Sequence, residues 1–206
     1  MPTNRQPLVF DFDGVIADTE PLYWRAWCEL LKRYGLGFEW SEYCRIGRGI
    51  RDEKMLESLV DLVPDPVLLA QIRQRLPERR EMVRAWKLQQ PPISAATVQL
   101  LQSLAGRTLG LVTSSDQVEI EPMLRGAGIA HCFAASVFGE ETTSFKPDPA
   151  PYLLISKKLG IAGGIVFEDS EAGLLSAAGA GFRTVRVESP DQLPDLVRNV
   201  LNEEEE

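Results

Sequence analysis

The chain has 206 residues, of which 44% are hydrophobic and 25% are charged, and its formal net charge at pH 7 is −8. This length is typical of one globular domain, or of one domain with a sizeable insertion. The negative charge argues against a nucleic acid polymer as partner, because such binding depends on basic patches. Since His131 is the single histidine, zinc sites and catalytic triads built on histidine are nearly excluded.

Several features of the sequence favour a cytoplasmic protein. A membrane-spanning helix would need a run of about 18 apolar residues, and none is present. The residues before Leu8 lack the apolar centre of a signal peptide. The cysteines, Cys28, Cys44 and Cys132, have no metal-like spacing and fit a reducing compartment. We expect the acidic end of the chain, residues 203–206, to be solvated and frayed.

The first predicted strand is an apolar run that leads into two acids. Asp11 and Asp13 follow residues 8–10, and Gly14 interrupts the run. Strand alternation would place both carboxylates on one face, where a bound cation would relieve their repulsion. Mg²⁺ prefers such oxygen ligands. The alternative is a polar strand end with two solvated acids.

A long helical stretch separates this strand from the next, because apolar residues recur there at helical spacing. About 95 residues lie between Gly14 and Thr108, whereas a complete βαβ unit has roughly 30. We therefore predict an all-helical cap subdomain at residues 17–91. It would be inserted into an α/β core made of residues 1–16 and 92–206.

Within the cap, the apolar spacing predicts four helices. Gly35 would end the first of them, and Pro77 would break or kink the third. Their apolar positions fall at residues 23–34, 55–60, 67–76 and 82–86.

From Thr97 onward, predicted helices alternate with short apolar strands. Such alternation predicts a parallel, doubly wound, Rossmann-like α/β sheet. The inserted cap would then lie over the carboxyl ends of the strands, where open α/β sheets bind their ligands. The strands are expected at residues 109–113, 133–138, 164–167 and 184–187.

Polar side chains stand at the ends of these strands or in the loops that follow them. The carboxyl ends of parallel strands meet at one edge of a sheet, so we expect these side chains to converge. An acidic nucleophile, a hydroxyl donor, a lysine and a metal-binding acid together suit phosphoryl transfer. Each alone has an ordinary alternative, such as a helix cap, a surface lysine or an acid before a helix. The side chains are Asp11, Asp13, Thr113, Ser114, Lys146, Glu168 and Asp169.

In this combination the chain resembles the haloacid dehalogenase (HAD) superfamily of phosphatases, in the helical-cap branch that includes phosphoglycolate phosphatases and β-phosphoglucomutases. The resemblance covers nearly the whole chain. It implies a Mg²⁺-dependent enzyme that hydrolyses a small phosphorylated metabolite. The motifs that carry it are Asp11-Phe12-Asp13-Gly14-Val15, Leu111-Val112-Thr113, Lys146-Pro147 and residues 168–173.

The resemblance also implies a role for each catalytic side chain. Asp11 would attack phosphorus and form an aspartyl-phosphate, and Asp13 would protonate the leaving oxygen and then activate water. Thr113 would donate its hydroxyl to the transferring phosphoryl group, helped by the amide of Ser114. A shift of one residue would instead make Ser114 the hydroxyl donor. Lys146 would neutralise the nucleophile and the phosphate.

By the same resemblance, Mg²⁺ would be held by the carboxylates of Asp11 and Asp169 and by the backbone carbonyl of Asp13, with Glu168 assisting. Dehalogenases of this fold need no proton relay two residues after the nucleophile, and they lack this metal group. Asp13, together with Glu168 and Asp169, therefore indicates phosphate chemistry.

Residues of the cap could recognise the rest of the substrate. Arg48 and Arg51 lie in a predicted loop and could bind a second anionic group, such as a carboxylate or a distal phosphate. The alternative is two solvated arginines paired with Glu42 or Asp52. Phosphoglycolate, sugar phosphates and nucleotides all stay open as substrates, and we expect a monomer or weak dimer.

The first cap helix bears on the choice between hydrolysis and isomerisation. Residues 18–27 resemble the first cap helix of β-phosphoglucomutase. In that enzyme a histidine in the cap linker takes part in gating the acid/base. Tyr23 stands at the matching position, and a phenol with a pKa of about 10 cannot replace a group that titrates near about 6.5. This favours a phosphatase over a phosphomutase, with Tyr23 at the substrate. The alternative for Tyr23 is an ordinary core aromatic beside Trp27.

Two non-enzymatic interpretations also stay open. A response-regulator receiver combines acids, a hydroxyl and a lysine on a parallel sheet, but it keeps its phosphorylated aspartate on a middle strand and has no large helical insertion. A catalytically inactive module that binds phosphorylated ligands would have the same fold. Mg²⁺-dependent release of phosphate from p-nitrophenyl phosphate, abolished by EDTA, would distinguish an enzyme from both.

Overall fold

The computed structural model describes residues 5–47 and 52–205, which form two compact units. The first, the α/β unit, contains the described residues up to Asp18 and from Pro91 onward. The second, the helical unit, contains the described residues from Thr19 to Gln90. The helical unit is therefore an insertion in the sequence of the α/β unit.

The α/β unit is built on one five-stranded sheet in which all neighbouring strands are parallel. Its strands are β1 (Leu8–Phe10), β2 (Leu109–Val112), β3 (Ala135–Val137), β4 (Ile165–Glu168) and β5 (Arg183–Arg186). Their order is β3-β2-β1-β4-β5, so β1 is central, and its Leu8 pairs with both Leu109 and Ile165. The prediction of a parallel α/β sheet is confirmed.

The helical unit has an apolar core of its own. Trp27, Leu30 and Leu31 of its first helix are buried there, as the amphipathic spacing of that segment predicts. The all-helical insertion expected from the sequence is therefore present. Its helices are α1 (Glu20–Lys32), α2 (Trp40–Ile46), α3 (Asp52–Ser58), α4 (Pro66–Gln74) and α5 (Leu76–Gln89).

Two details of the helical prediction are wrong. Leu76 begins α5 and does not belong to the preceding helix, because Pro77 lies in the first turn of α5. Proline is tolerated there since the first amides of a helix have no intrahelical acceptor. Leu59 and Val60 lie in a 3₁₀ turn that follows α3, and not in an α-helix.

Helices cover both faces of the sheet. Leu8 and Phe10 belong to an apolar cluster on one face, whereas Val9 and Tyr152 belong to a cluster on the other. Because β1 is buried on both sides, its residues are uniformly apolar and do not alternate with polar ones. No helix within residues 5–47 and 52–205 is long and apolar enough to cross a membrane. The helices of the α/β unit are α6 (Ala95–Ser103), α7 (Gln117–Gly126), α8 (Ala150–Leu159), α9 (Glu171–Gly179) and α10 (Leu193–Glu205).

The acidic end of the chain is ordered as far as it is described. Helix α10 continues to Glu205. Glu204 accepts hydrogen bonds of 3.0 and 2.6 Å from the guanidinium of Arg107, and Glu203 pairs with Arg183 at 2.7 Å. The expectation of a frayed end is therefore wrong for residues 203–205, which are helical, whereas residue 206 lies outside the described residues.

Candidate active site

The carboxyl edge of the sheet supplies most of the predicted site. Asp11 directly follows β1, and its amide donates to the carbonyl of Phe167 over 3.0 Å. Thr113 follows β2, and its amide donates to the carbonyl of Val137 over 3.0 Å. Glu168 is the last residue of β4. Since these strands are parallel, their polar ends lie at the same edge.

Lys146 joins two of these strand ends. Its ammonium donates to Oδ1 of Asp11 over 2.6 Å and to Oε1 of Glu168, and it lies 3.5 Å from the carbonyl oxygen of Val112. The side chains of Lys146 and Asp11 are each only 8% exposed. The fold thus brings the predicted lysine to the predicted nucleophile across 135 residues of sequence.

Asp11, Glu168 and Asp169 form the carboxylate cluster of the site. One oxygen of each lies within 4.8 Å of the others. Lys146 contributes one positive charge against these three negative charges, and a divalent cation would offset the remainder. Oxygen donors of this kind are the ligands that Mg²⁺ prefers. The residues present therefore fit the predicted metal.

The charges of this cluster affect one another strongly. Burial raises the pKa of Asp11 well above its usual value; Lys146 opposes this effect, and Glu168 and Asp169 add to it. Burial by itself would lower the pKa of Lys146, but the charges of Asp11 and Glu168 outweigh it and raise that pKa. Lys146 therefore stays protonated at neutral pH. A bound cation would favour the ionised form of Asp11 that a nucleophile requires.

The loop after β2 contacts Asp13. The hydroxyl of Ser115 donates to Oδ2 of Asp13 over 2.8 Å, and the amide of Ser115 donates to Oγ1 of Thr113 over 3.1 Å. Thr113 is buried, whereas Ser114 is exposed. Since Oγ1 of Thr113 accepts from an amide of its own loop, its hydroxyl is held in place with a proton to donate. This arrangement favours Thr113 over Ser114 as the hydroxyl donor.

Gly14 lets the loop after β1 turn beside Asp169. Its φ is +81°, and a Cβ at this position would lie 2.2 Å from Oδ2 of Asp169. The amide of Gly14 donates to the carbonyl of Ala17 over 2.8 Å, which closes the turn. β1 ends at Phe10, so Asp13 lies in this turn, and the expectation that a strand continues through both acids is wrong.

Protein donors surround the carboxylate of Glu168. Oε1 accepts from Lys146 and, over 3.1 Å, from the hydroxyl of Tyr152. Oε2 accepts from the amide and the hydroxyl of Ser170, each over 3.0 Å. Sequence reasoning missed Tyr152, because it stands among the apolar positions of α8, where an aromatic residue indicates only a core position.

Tyr23 lies in α1 of the helical unit. Its hydroxyl accepts a hydrogen bond of 2.8 Å from the ammonium of Lys87, which also lies 4.7 Å from the centroid of the Tyr23 ring. Lys87 is buried. Tyr23 is therefore tied to a charged partner within its own unit, and its role at the substrate stays a prediction.

The predicted anion-binding arginines of the cap, Arg48 and Arg51, lie outside the described residues. Asp52, considered as an alternative partner for them, is in ion pairs with Arg79 and Arg80. Its N···O distances are 2.6 Å to Arg79 and 2.9 Å to Arg80. Asp52 therefore has cationic partners other than Arg48 and Arg51.

Comparison with known proteins identifies the family of this chain. Residues 8–187 match the haloacid dehalogenase-like hydrolase family. The phosphorylated carbohydrates phosphatase of Thermotoga maritima is 30% identical over 87% of this chain and 83% of its own length, and the fructose-1-phosphate phosphatase YqaB of Escherichia coli is 31% identical over 87% and 95%. A HAD-superfamily hydrolase of subfamily IA from Geobacter sulfurreducens has the same fold, with a TM-score of 0.74 at 21% identity over 95% of this chain and 98% of that one. The chain thus belongs to the haloacid dehalogenase-like hydrolase family.

Proposed function

We propose that this protein is a Mg²⁺-dependent phosphatase that hydrolyses a small phosphomonoester through an aspartyl-phosphate intermediate. The observation that carries the proposal is the convergence of Asp11, Lys146, Glu168 and Asp169 at the carboxyl edge of the sheet. A nucleophilic carboxylate, a buried ammonium and further metal-binding acids suit phosphoryl transfer, where catalysis is mostly positioning and charge neutralisation. Membership of the hydrolase family supports the same chemistry.

In the first step, Asp11 attacks phosphorus, and the bond from phosphorus to the alcohol oxygen breaks. Lys146, already 2.6 Å from Asp11, neutralises the charge shared by the nucleophile and the phosphoryl oxygens. Thr113 donates its hydroxyl to one of those oxygens. Asp13, oriented by the hydroxyl of Ser115, gives a proton to the departing alcohol.

In the second step, water attacks phosphorus and releases inorganic phosphate, which restores the Asp11 carboxylate. Asp13, now deprotonated, takes a proton from that water. Asp11, Asp169 and the backbone carbonyl of Asp13 would hold Mg²⁺, which when bound supplies charge neutralisation at the phosphoryl oxygens. The same carboxylate of Asp13 thus serves as acid and then as base.

Phosphorylated carbohydrates are the first substrates to test, because two of the relatives are named for them. We assign the selection of the alcohol part to the cap at residues 17–91, and we place the enzyme in the cytoplasm as a monomer or weak dimer. The test is phosphate release from fructose 1-phosphate, other sugar phosphates, phosphoglycolate and nucleoside monophosphates, with Mg²⁺ or EDTA. Mg²⁺-dependent release from at least one compound is expected, and none from the whole panel would contradict the proposal.

Tyr23 favours hydrolysis over phosphomutase activity of the β-phosphoglucomutase type. Its hydroxyl accepts a hydrogen bond from Lys87, and a phenol has an ordinary pKa of about 10, whereas a histidine has one of about 6.5. The assay supplies β-glucose 1-phosphate with a trace of the 1,6-bisphosphate. A phosphatase releases phosphate without accumulating glucose 6-phosphate, whereas glucose 6-phosphate formed far faster than phosphate would establish the mutase instead.

A further inference from the structure

Both oxygens of the Glu168 carboxylate accept hydrogen bonds from the protein. Its two oxygens accept four bonds from the protein: from Lys146, Tyr152, and the amide and hydroxyl of Ser170. A carboxylate offers about four lone-pair sites, so these donors use most of its capacity. Glu168 is also 0% exposed. Its carboxylate is therefore built as a fixed anionic anchor for the groups around it.

Tyr152 reaches this anchor from inside the core. It is 0% exposed, and its ring packs edge-on against Phe182 with the ring centroids 6.0 Å apart. A phenylalanine would fill the same apolar space, so packing alone does not account for the hydroxyl. That hydroxyl donates over 3.1 Å to Oε1 of Glu168, the oxygen that also accepts from Lys146. The ammonium of Lys146 lies 5.3 Å from the centroid of the Tyr152 ring.

We propose that Tyr152 is a positioning residue that acts through Glu168 to hold the Lys146 ammonium against Asp11 and the transferring phosphoryl group. This inference rests on the proposed phosphatase function. The phenol fixes Oε1 of Glu168, the fixed carboxylate orients Lys146, and Lys146 reaches Oδ1 of Asp11 over 2.6 Å. Without the phenol, Lys146 is the one donor left to Oε1 among these contacts. The side chains of Glu168 and Lys146 can then move away from the positions in which Lys146 contacts Asp11.

Tyr152→Phe tests the inference, because it removes the hydroxyl and keeps the ring. Tyr43→Phe is a matched control: Tyr43 is 2% exposed, and its hydroxyl donates over 2.6 Å to the buried carboxylate of Glu20 in the helical unit. Both variants are expected to unfold at a lower temperature than the wild type. Only Tyr152→Phe should lower kcat, by about tenfold, with a smaller change in KM.

Two further measurements separate positioning from a merely structural role. Calorimetric titration with orthovanadate, which mimics the transferring phosphoryl group, should show weaker binding to Tyr152→Phe by a factor similar to the loss in kcat, and unchanged binding to Tyr43→Phe. In a Glu168→Gln background, Tyr152→Phe should have little further effect, because the two residues act as one unit.

Unchanged kcat and vanadate affinity in Tyr152→Phe would overturn the inference, as would a full effect of Tyr152→Phe in the Glu168→Gln background. Either result, obtained with an active wild type, leaves the proposed phosphatase function standing. A wild type that releases phosphate from no phosphomonoester contradicts the proposed function itself. The vanadate titration then still decides the inference, because it does not depend on turnover.

Discussion

Gly173 leaves the space that the side chain of Glu168 occupies. A Cβ at Gly173 would lie 1.9 Å from Oε1 and 2.0 Å from Cδ of that carboxylate. Gly173 lies near the start of α9, and its amide donates over 3.0 Å to the hydroxyl of Ser170, which in turn donates to Glu168. The N-terminal turn of α9 therefore packs directly against the Glu168 carboxylate that binds Lys146.

Gly173→Ala should displace Glu168 and, with it, Lys146. We expect this variant to lose about 1–3 kcal/mol of the free energy of unfolding, as is typical of an overpacked core. Its phosphatase activity should fall by a much larger fraction than its stability. Gly179→Ala is the control in the same helix, since a Cβ there would meet Pro149 at an ordinary 3.4 Å. Denaturant unfolding and initial rates check the pair, and equal behaviour of the two variants would contradict the packing argument.

Asp13→Asn should lower steady-state turnover by about 10²–10⁴-fold, because the general acid and base are lost together. With p-nitrophenyl phosphate the variant should still show a burst of p-nitrophenol equal to the concentration of active sites. The burst is expected because p-nitrophenolate can leave without being protonated, so the first step still occurs. The second step stays slow because the attacking water has no general base. Stopped-flow absorbance measures the burst, and Asp116→Asn in the neighbouring loop should behave like the wild type. Wild-type steady-state turnover in Asp13→Asn would exclude the assigned role.

Mg²⁺ should raise the temperature of unfolding, because it binds the folded carboxylate cluster and not the unfolded chain. At one hundred times its Kd, the gain would be about 2.7 kcal/mol. Asp169→Ala should remove this shift together with activity, and Ca²⁺ should inhibit, because its looser coordination misplaces the nucleophile. Thermal unfolding and initial rates with Mg²⁺, Ca²⁺ or EDTA provide the measurement. If neither the unfolding temperature nor the initial rate changes with Mg²⁺ or EDTA, the metal assignment is wrong.

The ion pair of Glu204 with Arg107 should stabilise the α/β unit in a pH-dependent way. Hydrogen bonds from Arg107 lower the pKa of Glu204 below its usual value. Since the folded pKa is the lower one, the stabilisation is present above the unfolded pKa of about 4.3 and is lost as the pH falls through the folded pKa. Glu204→Gln should therefore lower the free energy of unfolding by about 1 kcal/mol at pH 7, and by progressively less as the pH falls below about 4.

The control for that prediction is Glu203→Gln. Glu203 pairs with Arg183, but both side chains are more than half exposed, and such pairs contribute little. Urea unfolding at a series of pH values measures both variants. A difference between Glu204→Gln and the wild type that does not shrink at low pH would exclude the ion pair as its cause.

Local signals were sufficient to predict most of the fold. Apolar runs mark the buried strands, and the abnormal length between Gly14 and Thr108 indicates the helical insertion. Ser170 is a residue type that caps helices, and its side chain does accept from the amide of Gly173 at the start of α9. The expectation failed at Pro77, because a proline can begin a helix as readily as it breaks one.

Contacts between distant residues could not be predicted in this way. Ser115 and Asp13 are 102 positions apart, and Arg107 and Glu204 are 97 apart. Such pairs depend on the crossover connections of the sheet and leave no periodic signal in the sequence. The predicted carboxylates and Lys146 do converge, because each stands at or beyond a parallel strand, and the order of strands brings their ends to one edge.

The central claim is that Asp11 is the nucleophile of a Mg²⁺-dependent phosphatase. It is tested most directly by phosphate release from phosphorylated carbohydrates and p-nitrophenyl phosphate, comparing the wild type with Asp11→Asn. The amide is nearly isosteric with the carboxylate but cannot attack phosphorus. We predict Mg²⁺-dependent release by the wild type and background release by an Asp11→Asn variant with native circular dichroism. Wild-type rates in that folded variant, or no release by the wild type, would contradict the claim.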